Sequence, residues 1–196
     1  MATQQKASGT SWVRKMIVAG ALSAVSIALF LTPFGYIPWF AGASLTVMHV
    51  PAIIGGVLEG PVVGGVIGAI FGITSLIKAA TAPQGPIDVF FTNPLVSVIP
   101  RILVGIAGWL IATLLRGLNR QLGYLAAGAV GSLTNSVLVL GALVLLQAIP
   151  LQLAASVFVA NSLVEAVAAA ILTAGVVSAW KGIEHGRSRS RLADEA

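Results

Sequence analysis

Four ionisable side chains lie inside long apolar stretches of the sequence: His49, Lys78, Arg101 and Glu165. Arg101 stands two turns inside the run NPLVSVIPRILVGIAGWL. An arginine keeps its charge under essentially all conditions, and its planar fork of donors suits a carboxylate or a phosphate. Because charged groups in apolar surroundings are costly, they normally mark a site. The residue type therefore predicts a site for a small anion.

Arg101 could also have a structural role, in one of two ways. It could form an internal ion pair with Glu165 that fixes two helices together, or its side chain could reach back to the membrane interface. His49 is likewise either a hydrogen-bonded core histidine or a ligand contact. A binding site, a structural pair and an interfacial anchor are all compatible with the sequence at this point.

The sequence offers little for catalysis or for metal binding. The chain has no cysteine, which excludes disulfides, thiolate metal sites and cysteine nucleophiles. It has two histidines and no acidic partner at helical spacing, so no metal site is expected. Neither a Gly-x-Ser-x-Gly element nor a phosphate-binding loop of the Walker type is present. We therefore expect no enzyme, no cofactor and no ATP hydrolysis by this chain.

The elements that must position these residues are membrane helices. Of 196 residues, 57% are hydrophobic and 9% charged, whereas about a quarter of a soluble domain is charged. Apolar runs rich in Gly and Ala exceed the roughly 10 residues of a membrane β-strand. The sequence predicts an all-α membrane protein, a single domain over 1–196, with six transmembrane helices near 15–33, 43–58, 61–79, 95–115, 122–149 and 152–180.

Basic residues indicate how these helices are oriented. They precede the first helix, separate the fourth from the fifth and follow the sixth, and by the positive-inside rule these places are cytoplasmic. Both termini, with polar tails at 1–13 and 182–196, are then cytoplasmic, and the loops at 34–42, 80–94 and 150 face outward. Since the charges lie at segment ends and not over one face, no nucleic-acid partner is expected. The basic residues at these places are Lys6, Arg14, Lys15, Arg116, Arg120, Lys181, Arg187, Arg189 and Arg191, and Lys78 is out of this pattern.

Helical rise predicts that three helices bring polar residues to the outer half of the bundle and that Asn135 reaches the floor of the same space. At 1.5 Å per residue, His49 and Arg101 lie about 9 Å from the outward ends, Asn161 about 13 Å, and Glu165 and Asn135 about 20 Å. Asn161 and Glu165, four residues apart, share a helix face. The loop TAPQGPIDVFFTNP either folds over the resulting cavity or is an ordinary exposed connection.

Two series of small residues predict close helix contacts. Gly20, Ala24 and Ala28 recur every four residues in the first helix, a pattern that lets another helix approach. The pattern fits internal packing and a partner surface equally well. A second series, Gly56, Gly60, Gly64 and Gly68, is predicted to pack inside the bundle.

Three stretches together resemble a known family of membrane proteins. LTVMHVPAIIGGVLEGPVVGGVIGAIFGITSLI, FTNPLVSVIPRILVGIAG and GSLTNSVLVLG are similar to the substrate-binding S component of energy-coupling-factor (ECF) vitamin transporters. The M-H-x-P element at Met48 to Pro51 and the S-x-x-P-R element at Ser97 to Arg101 resemble the pantothenate branch. The resemblance implies a prokaryotic cell-membrane protein with six helices and an outward pocket, capped by the loops after helices one, three and five.

The resemblance also implies partners and site roles. Gly20, Ala24 and Ala28 would dock a transmembrane T component, which couples to two cytosolic ATPases that use the ATP. Pantothenate is a small carboxylate with hydroxyls and an amide, so Arg101 is expected to bind its carboxylate. The further predicted contacts are Asn135, Asn161, His49, Asn93, Ser97 and Glu165.

Other functions remain compatible with the sequence. The vitamin could be riboflavin, folate, cobalamin or thiamine, because these proteins share the architecture. A stand-alone channel or facilitator would use Arg101 and Lys78 as an anion filter. A purely structural subunit would bind nothing and would tolerate changes at Arg101, Asn161 and Glu165.

Overall fold

The structure, a computed structural model, describes residues 2–32, 35–38, 44–83 and 85–194. Nearly all of its regular structure is helical, as predicted. A two-stranded antiparallel hairpin, in which Tyr36 pairs with Thr46, follows the first helix. In chain order the elements are α1 (Ala2–Leu31), β1 (Tyr36–Pro38), β2 (Ser44–Thr46), α2 (Val50–Glu59), α3 (Pro61–Thr81), a 3-10 helix (Pro86–Thr92), α4 (Pro94–Ser97), α5 (Ile99–Leu114), α6 (Arg120–Leu145), α7 (Leu151–Val157), a π-helical turn (Phe158–Ser162) and α8 (Leu163–Asp194).

Within the described residues, five helical stretches are long and apolar enough to cross a membrane. The chain is therefore a multi-pass membrane protein. The predicted tails are helical where they are described, since α1 begins at Ala2 and α8 ends at Asp194. The five stretches are Trp12–Leu31, Pro61–Thr81, Pro94–Leu114, Arg120–Leu145 and Leu151–Glu184.

The second predicted segment, 43–58, differs from the prediction. Residues 44–46 form strand β2, and the helix begins only at Val50. Pro51 lies in its first turn, where a missing N–H costs nothing, so it starts the helix and does not kink it. The ten residues of α2 span about 15 Å, half of the roughly 30 Å hydrocarbon core of a bilayer. A sixth spanning helix is thus not confirmed.

Helix α2 is the centre of the bundle in spite of its length. Every residue from Val50 to Val57 is buried, and Ile53 is wholly inaccessible. Its apolar side chains pack with Val104 of α5, Ala127 of α6 and Val177 of α8. The core therefore surrounds a helix that fills only half of the membrane thickness.

Close backbone contacts hold α2, α3 and α5 together. A methyl group on Gly64 would lie 2.7 Å from the Cα of Gly56, and one on Gly68 would collide with the carbonyl oxygen of Arg101. Lipid tails are as apolar as a helix surface, so contacts between small residues are what holds such helices together. Internal packing is confirmed for Gly56, Gly64 and Gly68. Gly60, with φ of +103°, makes the one-residue turn between α2 and α3.

An ion-pair cluster joins three helices at the end of the bundle opposite His49. The guanidinium of Arg14 in α1 lies 2.7 Å from carboxylate oxygens of both Glu59 and Glu184. Glu59 ends α2, and Glu184 lies late in α8. The start of the first membrane stretch and the end of the last one therefore lie at the same end, which we call the basic end.

We predict that Gly68→Ala destabilises the protein. The new methyl group would meet the Arg101 carbonyl, and overpacking of this kind costs about 1–3 kcal/mol. The midpoint temperature of unfolding in detergent should fall. Gly175→Ala is the matched control, because no atom lies within 4 Å of its added methyl group. Equal midpoints for the two variants would contradict the proposed packing of α3 against α5.

Candidate functional site

A cavity of about 230 Å³ lies above the N-terminal end of α2, in the half of the bundle that this short helix leaves empty. Side chains from α1, β2, α2, α3, the 3-10 helix, α5 and α6 reach it. Its polar and charged lining residues are Thr46, His49, Ser75, Lys78, Asp88, Arg101 and Asn135. Its apolar lining residues are Phe30, Met48, Phe71, Ala79, Ala82 and Phe91.

Pro100 explains how Arg101 is held at this cavity. A proline has no N–H, so Pro100 cannot bond the carbonyl of Val96, four residues earlier. The helix is interrupted at Val98, and Nη1 of Arg101 donates to the Val96 carbonyl oxygen instead. Arg101 is only 7% exposed and lines the cavity. Its guanidinium therefore folds back over its own helix start, which disagrees with the role of an interfacial anchor.

Aromatic rings surround the two cations of the cavity. The guanidinium carbon of Arg101 lies 5.6 Å from the ring centroid of Phe71 and 5.4 Å from that of Phe91. Nζ of Lys78 lies 4.7 Å from the centroid of Phe30, whose ring packs edge-on against Phe71 at 5.9 Å. Such contacts stabilise a desolvated cation by about 0.5–2 kcal/mol. The rings thus stabilise positive charge while leaving an apolar wall.

Two buried polar atoms at the cavity lack a hydrogen-bond partner among the described residues. They are Nε2 of His49 and Oδ1 of Asn135, and both residues line the cavity. His49 is only 2% exposed. Since buried polar groups are nearly always hydrogen-bonded, atoms of this kind beside a cavity indicate a polar guest.

Glu165 holds a wall of the cavity. Its Oε1 accepts hydrogen bonds from the backbone N–H of Thr46 at 2.6 Å and from the Thr46 hydroxyl at 2.9 Å. Glu165 is therefore bonded to β2, which argues against the internal Arg101 to Glu165 pair.

Of the predicted site residues, the structure brings three to the cavity: Arg101, His49 and Asn135. The other four lie outside its lining. Asn93 caps α4 by accepting from the Leu95 N–H at 3.0 Å, and the Ser97 hydroxyl donates to the Asn93 carbonyl. Asn161 is buried in the π-helical turn, and Glu165 reaches the cavity only through Thr46.

Several lining residues are not among the predicted vitamin contacts, although Lys78 enters the channel hypothesis as part of an anion filter. Phe71, Ser75 and Lys78 are spaced four and three residues apart on one face of α3, a pattern that a helical projection of the sequence could have found. Thr46 and Phe30 carry no such signal. No three His, Asp or Glu side chains of the described chain come together in a way that could hold a metal ion.

Asp88 and Phe91 of the 3-10 helix after α3 line the cavity, whereas Ile87 and Val89 of the same helix are exposed. One side of this loop therefore borders the cavity, as the covering role requires. The loop at 34–42 lies mostly outside the described residues. No residue between α6 and α7 lines the cavity in the described part of the chain.

The small-residue series of α1 lies on the outer surface of the bundle. Gly20, Ala24 and Ala28 are all exposed, and a methyl group added to Gly20 would meet no atom within 4 Å. The interpretation that this series packs inside the bundle is therefore wrong. Of the five membrane stretches, α1 is also the least buried. Its free face is flat enough for another helix backbone to approach closely.

Known proteins match most of this sequence. A family model described as "ECF transporter, substrate-specific component" matches residues 14–183. The pantothenic acid transporter PanT of Lactococcus lactis subsp. cremoris is 30% identical over 181 residues, 83% of this chain and 91% of that protein. The pantothenate transporter PanT of Leuconostoc mesenteroides subsp. mesenteroides is 33% identical over 130 residues, 62% of this chain and 64% of that protein. This chain thus belongs to the substrate-specific components of ECF transporters, which are transport proteins and not enzymes.

Proposed function

We propose that this chain binds pantothenate in the cavity above α2 and delivers it to an ATP-driven ECF module. The observation that carries the proposal is the lining itself, in which the buried guanidinium of Arg101 accompanies the unsatisfied polar atoms of His49 and Asn135. Two cations and one carboxylate line the space, so with His49 neutral the lining carries an excess of positive charge. A small polar anion fits these requirements.

Each part of pantothenate has a matching group in the cavity. Its carboxylate binds the guanidinium of Arg101, which offers parallel donors in a fork. Its hydroxyls and amide bond His49 and Asn135, whose polar atoms then gain partners. Its methyl groups pack on Phe71 and Phe91, the rings that also contact the guanidinium.

The cavity volume favours pantothenate over larger vitamins. Pockets for drug-sized ligands usually measure about 300–1,000 Å³. The 230 Å³ found here is smaller, and folate, riboflavin or cobalamin would exceed it. Two relatives named as transporters of pantothenate point to the same ligand.

The predicted residues outside the lining act through the residues they hold. Glu165 fixes Thr46, and Asn93 fixes the start of α4 just before Arg101. The Ser97 hydroxyl donates to the Asn93 carbonyl, and Asn161 shapes the π-helical turn that precedes α8. We assign them to positioning and not to direct contact with the vitamin.

The bundle is oriented with its basic end in the cytoplasm of a prokaryotic cell. Arg14, Arg116, Arg120 and Lys181 then satisfy the positive-inside rule, and the cavity opens outward. The hairpin and α2 together form the sixth crossing, so both termini are cytoplasmic. ATP is used by the partner ATPases, and this chain needs no cofactor.

The exposed face of α1 docks the transmembrane T component. Gly20, Ala24 and Ala28 leave its backbone open along about two and a half turns of helix, which is what a second membrane helix needs for close packing. The face lies on the bundle surface, so the partner can bind while the cavity holds the vitamin.

Replacing Arg101 should abolish high-affinity pantothenate binding. Arg101→Gln removes the cation that pairs with the pantothenate carboxylate in a desolvated site. The loss costs about 2–5 kcal/mol of binding free energy, so the affinity should fall at least about 30-fold. Isothermal titration of the purified protein measures this. Arg101→Lys keeps the charge without the fork and should bind with intermediate affinity.

Arg116→Gln is the control for this experiment, because it removes the same group at the basic end and should leave the affinity unchanged. Wild-type affinity in Arg101→Gln would disprove the anchor role.

Glu165 should act on stability through Thr46. Glu165→Ala leaves the Thr46 N–H and hydroxyl without their acceptor, which should lower the free energy of unfolding by about 1–3 kcal/mol. The Thr46 amide should then exchange with solvent deuterium faster. Glu165→Gln retains a carbonyl acceptor and should stay close to wild type in exchange and affinity. A loss of affinity in Glu165→Gln as large as that in Arg101→Gln would show direct contact with the vitamin.

A large side chain on α1 should separate binding from uptake. Ala24→Leu fills the exposed groove, so complex formation with the T component and uptake into proteoliposomes should be lost while pantothenate affinity is kept. Gly141→Leu, at an equally open and exposed position of α6, is the control. Uptake by this chain alone, without an ATPase module, would refute the proposed mechanism.

A further inference from the structure

A second cavity, of about 360 Å³, lies at the basic end of the bundle, far from the first one. It is formed where α5 ends, α6 begins and α8 passes by. Its charged and polar lining residues are Arg116, Arg120, Lys181, Glu184, Tyr124 and Thr113. We call this cavity the basic cleft.

The basic cleft carries an excess of positive charge. Its one carboxylate, Glu184, already binds Arg14 at 2.7 Å and accepts from Nε1 of Trp180 at 3.0 Å. Arg116 and Arg120 form no ion pair and no side-chain hydrogen bond with any described residue. Nζ of Lys181 lies 5.3 Å from the ring centroid of Tyr124. Two arginine forks therefore border a concave space in which a negative group would be stabilised.

The surroundings of the basic cleft indicate where that negative group comes from. Large apolar side chains next to both arginines point outward: Leu114 is 64% exposed, Leu118 81% and Leu122 56%. Such side chains at the end of membrane helices lie against acyl chains. A soluble phosphate has no apolar part to contact this rim, whereas a phospholipid matches both the apolar rim and the positive charges.

We propose that the basic cleft binds the phosphodiester headgroup of an anionic phospholipid such as phosphatidylglycerol. The forks of Arg116 and Arg120 bond its phosphate oxygens, Lys181 adds a point charge, and the acyl chains lie along the exposed leucines. In the orientation proposed above this lipid belongs to the inner leaflet. A lipid bound there joins the ends of α5, α6 and α8, and its binding does not depend on which vitamin the protein carries.

Native mass spectrometry of the detergent-purified chain, titrated with phosphatidylglycerol or phosphatidylcholine, tests the proposal. We expect a one-to-one complex with phosphatidylglycerol at concentrations where phosphatidylcholine gives none. Each basic residue near an anionic lipid contributes about a factor of five in affinity, so Arg116→Gln/Arg120→Gln should bind roughly 30-fold more weakly. Lys15→Gln, an exposed cation outside the cleft, should bind like wild type.

Two further measurements separate a lipid site from a general phosphate site and from a folding defect. The circular dichroism spectrum and elution volume of the double variant should match those of wild type, and Lys181→Gln alone should weaken phosphatidylglycerol binding several-fold. Inorganic phosphate added at the same concentrations should leave the lipid complex intact. Equal phosphatidylglycerol binding by wild type and the double variant, or displacement of the lipid by inorganic phosphate, would overturn the proposal.

Discussion

The site depends on one covalent constraint, the missing N–H of Pro100. Without that donor the carbonyl of Val96 has no helical partner, and Arg101 supplies one from its own side chain. The guanidinium is thereby held inside the bundle, where Phe71 and Phe91 lie within cation–π distance. Close packing reinforces the arrangement, because Gly68 lets α3 approach the Arg101 carbonyl directly. A permanent charge is tolerated in apolar surroundings because the backbone and the rings solvate it on one side and a polar cavity lies on the other.

The half-length helix α2 leaves the space that this cavity occupies. Its ten residues fill the basic half of the core so tightly that Ile53 has no accessible surface. In the described part of the chain, the other half holds the hairpin and the side chains that surround the cavity. Because lipid gives no hydrophobic driving force between helices, this division is stable only where the backbones pack closely. Gly56, Gly64 and Gly105 supply that contact where α2, α3 and α5 meet.

Three surfaces of the bundle are spatially separate. The cavity lies at one end, the basic cleft at the other, and the small-residue face of α1 lies along the side. The proposals above assign the vitamin to the cavity, an anionic lipid to the basic cleft and the T component to the face of α1. The ion pairs of Arg14 join α1 to α2 and α8, so α1 is fixed to the central helix at the basic end.

Composition and motif spacing alone determined the membrane class, five of the helical segments and the choice of Arg101 as a candidate site residue, because a charge in a long apolar run is visible without coordinates. The remaining features needed the fold. Residues 43–58 look like one apolar helix, and only tertiary pairing of β2 with β1 shortened it to α2. Spacing placed Glu165 beside the site, but its hydrogen bonds to Thr46, 119 positions away, come from a contact that no local pattern encodes. Likewise the sequence left the face of α1 undecided, since Gly and Ala suit internal packing and partner docking alike, and only the positions of the other helices left it exposed.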